Sequence, residues 1–179
     1  QVGPEGFGVL RASLMGGAFI GGFVIARVPI TRHAGAALLG AAAVFGLSVI
    51  VFGASTSFWL SMMALAIMGA ADMVSVFVRH SLVQLVTPDE MRGRVGAATG
   101  VMIGASNELG EFESGLTAHY WGTVPAVVIG GAVTVAVAAA CAIACPALRK
   151  VDSLNADDLK LRYRAPHDRR GNPVTAPDP

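Results

Sequence analysis

Charged side chains are scarce in this sequence: they make up 14% of its 179 residues, whereas a soluble domain usually carries about 25%. The net charge is only +1, and no basic tract is interleaved with aromatic residues, so nothing indicates a nucleic-acid partner. Cysteine is scarce too. Cys141 and Cys145 stand one helical turn apart, a pattern that predicts neither a metal site nor a disulfide framework.

The sequence is instead rich in long hydrophobic segments. Hydrophobic residues make up 54% of the chain, and they fall into five blocks, each long enough for a membrane-spanning helix, for which about 20 residues suffice. The blocks cover approximately 7–26, 34–54, 57–79, 95–118 and 123–146. We therefore predict an all-α fold, a polytopic transmembrane bundle of five helices within residues 1–150. Residues 151–179 are polar, mixed in charge and rich in proline near their end, which predicts a disordered tail.

The basic residues indicate the orientation. Alternating the five helices across the membrane leaves Arg11 alone on one side and places all the other basic residues on the opposite side, in two connections and the tail. The positive-inside rule makes that second side cytoplasmic. We therefore expect a multi-pass protein of the cell membrane, with the N-terminus of this chain outside and the tail in the cytoplasm. An odd number of helices with an outer N-terminus also predicts at least one further helix upstream.

The connection before the fourth block reads "HSLVQLVTPDEMRGRVGAATG". Thr87 and Pro88, followed by the acidic Asp89 and Glu90, predict a helix start with Thr87 as its cap. Arg92, Gly93 and Arg94 then lead into the membrane.

This connection resembles the loop between the tenth and eleventh helices of major facilitator superfamily transporters. The string "IGASNELGEFESG", from Ile103 to Gly115, is similar to the eleventh helix of the branch that contains the enterobactin exporter and related efflux proteins. "VGPEGFGVLRA" looks like the outer approach to the eighth helix. The resemblance implies that the five helices are helices eight to twelve of a twelve-helix fold, the C-terminal half of a transporter whose N-terminal half is a required partner.

One signature of that superfamily is degenerate in this chain. The connection after the eighth helix usually carries a glycine, then an aspartate four residues later and a basic residue next to it. Gly22 and Arg27 match, but Ala26 stands where the aspartate is expected. A gating ion pair that depends on this aspartate is therefore in doubt in this half.

The acidic residues of the fourth block are the candidate transport site. At about 100° per residue, Asn107, Glu108 and Glu111 share one helix face and Glu113 points elsewhere. Counted from Val95 at about 1.5 Å per residue, Asn107 and Glu108 lie nearest mid-membrane and Glu113 close to the outer surface. Partial burial favours the protonated carboxyl group, so these side chains could exchange protons with a polar cavity. Structural hydrogen bonds or an outer vestibule are the alternative.

Asp72, in the third block, is a second candidate for the proton pathway, with a hydrogen-bond network at the inner end of the helix as the alternative. Residues with small side chains also recur four apart, as Gly17 and Gly21 do in the first block and Gly96, Gly100 and Gly104 in the fourth. This spacing allows helix backbones to approach closely, in static packing or in rocking motion.

These features favour the C-terminal half of a secondary active transporter. We expect it to export a small amphipathic molecule (a drug, siderophore or metabolite) by alternating access, in exchange for protons and within a lipid bilayer. Two alternatives are a lysophospholipid transporter and a membrane scaffold that does not transport. No Ser–His–Asp arrangement, zinc motif or phosphate loop appears in the apolar blocks, so we predict no enzyme activity, no metal and no cofactor.

Overall fold

The computed structural model describes residues 3–27 and 34–144. These residues form five long helices and one short 3₁₀ turn: α1 (Pro4–Arg27), α2 (Ala34–Ala54), α3 (Phe58–Val86), the 3₁₀ turn (Asp89–Met91), α4 (Arg92–Trp121) and α5 (Thr123–Ala144). The all-α prediction is confirmed. The predicted tail, 151–179, lies outside the described residues, as do Arg32 and Cys145.

Four of the five helices are long and apolar enough to cross a membrane: α1 over Glu5–Arg27, α2 over Ala34–Ala54, α3 over Phe58–Leu85, and α5 over Thr123–Ala144. The exception is α4. Its 30 residues span about 45 Å at 1.5 Å per residue, which exceeds the roughly 30 Å of a bilayer core. Its glutamates and glycines make it less apolar than the other four helices, so its passage through the membrane stays a prediction.

The helices are neighbours in the order α1, α3, α2, α5, α4. Glycine residues of α1 allow the backbones of α1 and α3 to approach each other closely. A methyl group at Gly17 would overlap the Ala66 carbonyl, and one at Gly21 would lie 2.9 Å from the Cα of Ala70. The contacts advance together along both helices, so α1 and α3 run parallel. Because α2 lies between them in the chain, this direction is what a chain crossing a membrane back and forth requires.

The contact between α2 and α5 is also built on small residues. A methyl group at Gly46 would lie 2.9 Å from the Gly131 carbonyl oxygen, and one at Gly131 would lie 2.8 Å from the Gly46 carbonyl oxygen. Further along, Gly53 faces Val127 and Val128. The contacts advance along α2 as they retreat along α5, so these helices are antiparallel, again as alternating crossings require.

The predicted helix start at Thr87 is wrong, because Thr87 ends α3 instead. Its backbone N–H and its hydroxyl both donate to the Val83 carbonyl oxygen, at 3.1 Å and 2.6 Å. Thr87 is extended, with φ −85° and ψ 126°, since a residue that precedes proline is driven out of the helical region. The acidic residues then lie in the 3₁₀ turn, and α4 begins at Arg92.

Candidate transport pathway

Helix α4 carries most of the predicted site, and it differs from the other helices in having no buried residue. Val95, Thr99 and Ile103, spaced one turn apart, are half-buried. They mark the side of α4 that packs on α5, its one substantial helix neighbour within the described residues. The site therefore occupies a helix that the rest of the described bundle touches along a single seam.

One face of α4 is apolar. Its large side chains are well exposed, with Leu109 at 68%, Phe112 at 69% and Met102 at 72%. At about 100° per residue, Leu109, Phe112 and Leu116 lie about 140–200° from Asn107. Exposed apolar side chains on a helix of a membrane protein are suited to contact with lipid chains.

The opposite face carries mostly small and polar residues, with Ile103 at its border towards α5. Relative to Asn107, Gly100 lies at about 20°, Glu111 at about 40° and Gly104 at about 60°. Nothing in the described part of the chain lies within 4 Å of a methyl group built at Gly96, Gly100 or Gly104. We call this the small-polar face, made of Gly96, Gly100, Gly104, Asn107 and Glu111. It runs along the middle of α4, and its three glycines meet no other described helix.

A depression of about 470 Å³ lies beside this face in the C-terminal half of α4, lined by Ser106, Asn107, Gly110, Glu111 and Ser114. The structure thus brings Asn107 and Glu111 together, as helical spacing predicts. Glu108 is exposed but is not among the lining residues, because it lies about 100° from Asn107, towards the apolar face. Sequence reasoning missed Ser106 and Ser114, although both stand in the same string and Ser114 is two turns beyond Asn107.

The observed helix bounds set the position of Glu113 along α4. Since α4 runs from Arg92 to Trp121, Asn107 stands at its midpoint, Glu111 about 7 Å beyond it and Glu113 about 10 Å beyond it. Glu113 is not among the residues that line the depression, and it lies about 160° from Glu111 around the helix, so its direction separates it from Glu111.

None of the three glutamates forms an ion pair within the described residues. The ion pair recorded there joins Asp89 to Arg92 at 2.8 Å, and both of these side chains are exposed. Within the described residues, Glu111 therefore has no cationic partner.

Asp72 lies apart from the depression, exposed on α3. The residue after it, Met73, packs against α1, where a methyl group at Gly22 would lie 3.5 Å from the Met73 Cε. Of the degenerate gating residues, Gly22 therefore lies against the neighbour of Asp72. Arg27 ends α1, with its guanidinium 4.5 Å from the centre of the Phe23 ring.

The loop motif spans the connection into α4. Pro88 precedes the 3₁₀ turn that holds Asp89 and Glu90, and Arg92, Gly93 and Arg94 form the first turn of α4. All six residues are exposed. The Asp89–Arg92 ion pair joins the turn to the helix, so the motif shapes the entry to α4 and presents its remaining charges to solvent.

Comparison with known proteins supplies the family. The profile described as "Transmembrane secretion effector" matches residues 1–171. No curated protein and no solved structure matches the chain.

Proposed function

We propose, from the premise that this chain belongs to the transmembrane secretion effector family of the major facilitator superfamily, that it exports a small amphipathic molecule in exchange for protons. The family makes the chain part of a membrane transporter rather than an enzyme. Export, proton coupling and the kind of substrate are our proposals.

The observation that carries the proposal is the division of α4 into an apolar and a small-polar face. The depression gathers a carboxyl group, an amide and two hydroxyls. Each of these groups is unfavourable in hydrocarbon, so this side of α4 is not suited to contact with lipid chains. The lining of the depression is suited to a water-filled cavity between two halves of a transporter, where substrates of such proteins bind. Asn107 and the serines would orient the substrate through hydrogen bonds, and the apolar rim would accept its hydrophobic part.

Proton coupling would depend on Glu111. Because Glu111 has no cationic partner among the described residues, its carboxylate can be neutralised by a proton or can interact with the substrate, but not both at once. Substrate binding from the cytoplasm would release the proton, and a proton from outside would release the substrate. Glu108, at the edge of the small-polar face, and Asp72, on α3, are the next candidates for this pathway.

The opposite wall of the cavity would come from an N-terminal half. The glycines of the small-polar face meet no other described helix, and if the five helices are the eighth to twelfth of twelve, the first seven would supply this wall. The orientation with Arg92 and Arg94 in the cytoplasm belongs to the same proposal, and it places the depression in the outer half of the membrane.

Efflux from cells that carry the full-length protein tests the proposal, with ethidium as an amphipathic probe and a fluorescent lysophospholipid as the competing substrate. We expect ethidium efflux that collapses when the proton gradient is dissipated, and that is lost in Glu111→Gln. Glu5→Gln, at an exposed glutamate in the first turn of α1, is the matched control and should transport normally. Movement of the lysophospholipid alone would show that the substrate is a lysophospholipid and not a small amphipathic molecule. The absence of proton-dependent transport of both probes would refute the proposal.

A further inference from the structure

We propose that Gly122 is a positioning residue of the transport site: as the single residue between α4 and α5, it sets the rotation of α4 that turns Asn107 and Glu111 towards the cavity. This inference rests on the proposed function, because it assumes that the small-polar face of α4 lines a pathway.

The conformation of Gly122 is one that other residues avoid. α4 ends at Trp121 and α5 begins at Thr123, so the whole reversal of direction falls on Gly122, with φ 85° and ψ 158°. This region of backbone space is essentially restricted to glycine. Space is not the reason, because the nearest atom to an added methyl group would be the Pro125 Cδ, at 3.8 Å. The requirement for glycine is conformational.

Both backbone groups of Gly122 are bound into the flanking helices. Its N–H donates to the Ala118 carbonyl oxygen at 3.0 Å, which closes the end of α4. Its carbonyl oxygen accepts from the Ala126 N–H at 3.2 Å, which opens α5. Because both backbone groups of Gly122 are hydrogen-bonded into the flanking helices, no flexible residue separates α4 from α5. A change in the dihedral angles of Gly122 therefore changes the rotation of α4 relative to α5.

Within the described bundle, α5 is anchored and α4 is not. Gly131 of α5 packs against the backbone of Gly46, and Ala138 is buried. α4 packs substantially only on α5, so no other described helix can correct its rotation. A rotation of about 100°, equivalent to one residue of helix, would turn Asn107 and Glu111 away from the cavity and put Glu108 and Phe112, or in the other sense Ser106 and Gly110, in their place.

The test is cysteine accessibility in the full-length protein, with Cys141 and Cys145 replaced by serine. Asn107→Cys, Leu109→Cys, Glu111→Cys and Leu116→Cys are made one at a time and exposed to a small, water-soluble maleimide. With Gly122 intact, we expect labelling at positions 107 and 111 and protection at positions 109 and 116. Adding Gly122→Ala should abolish labelling at 107 and 111. Adding Gly130→Ala, a position of α5 with no atom within 4 Å of an added methyl group, should leave the pattern unchanged.

A residue needed only for stability would lower the amount of protein but keep the pattern of labelling. An unchanged pattern in Gly122→Ala therefore overturns the positioning role. If Gly122→Ala does not accumulate in the membrane, one glycine inserted after Gly122 loosens the corner, and labelling should then appear at 109 and 116; the unaltered pattern would again overturn the role. If positions 107 and 111 are protected with Gly122 intact, the proposed function fails instead.

Discussion

Helices α1 and α4 carry the same spacing of small residues and use it differently. In α1, Gly17 and Gly21 bring the backbone against Ala66 and Ala70 of α3. In α4, Gly96, Gly100 and Gly104 meet nothing within 4 Å in the described part of the chain. Spacing by four residues therefore shows that a helix can be approached closely, but not which helix approaches it. Within the described bundle, α1 therefore uses this spacing for close packing and α4 does not.

The largest effect is expected at the α1–α3 contact. Gly17→Leu would force a side chain into the Ala66 carbonyl, and overpacking against backbone, which cannot move aside, should exceed the usual cost of about 1–3 kcal/mol. We expect the full-length protein to fail to accumulate in membranes, as measured by quantitative blotting. Gly8→Leu, at a position of the same helix with open space, is the control. Normal accumulation of Gly17→Leu would break the comparison.

The next effect concerns the acid of the small-polar face. Glu111→Gln keeps the shape of the side chain but cannot carry a proton between two states. We expect it to abolish transport, or to slow it and remove its pH dependence, in efflux measured at several external pH values. Glu108→Gln, at the edge of the face, should act in the same direction and less strongly. Glu113→Gln should leave most activity intact, and the reverse order would show that the assignment of faces on α4 is wrong.

A smaller effect is expected at Gly100, the counterpart of Gly17. In the 179-residue chain alone, Gly100→Leu should leave the thermal unfolding transition in detergent unchanged, because no described atom lies near. In the full-length protein it should lower stability by about 1–3 kcal/mol and reduce transport, if another helix packs there. Equal losses in both proteins would mean that α4 already packs on this bundle through the small-polar face.

The smallest effect is expected where α4 begins. Asp89→Asn removes the ion pair with Arg92. The Asp89 side chain is 77% exposed and the Arg92 side chain 49% exposed, and exposed ion pairs contribute at most about 1 kcal/mol to stability. We expect unfolding temperature and transport close to those of the unmodified protein. A large loss of transport at unchanged abundance would instead indicate that this pair takes part in gating on the cytoplasmic side.

The helices were largely predictable because hydropathy is a local property. The predicted block 34–54 coincides with α2. The end of α3 was missed, since Arg79 and His80 indicate the edge of a membrane but not the end of a helix, and α3 continues seven residues further to Val86. The shared face of Asn107 and Glu111 was predictable from helical periodicity alone. Their depression with Ser106 and Ser114 was not, because its boundary depends on which neighbouring surfaces are covered.

The sequence by itself therefore determined the approximate extent of the helices, the shared face of Asn107 and Glu111 and the transporter superfamily. Only the tertiary structure decided that Gly17 and Gly21 pack against α3 while Gly100 faces no described helix, and that Gly122 alone joins α4 to α5. The physical reason is range. Helix formation and facial pattern depend on residues within a few turns, whereas the choice of neighbours depends on complementary surfaces brought together from distant parts of the chain.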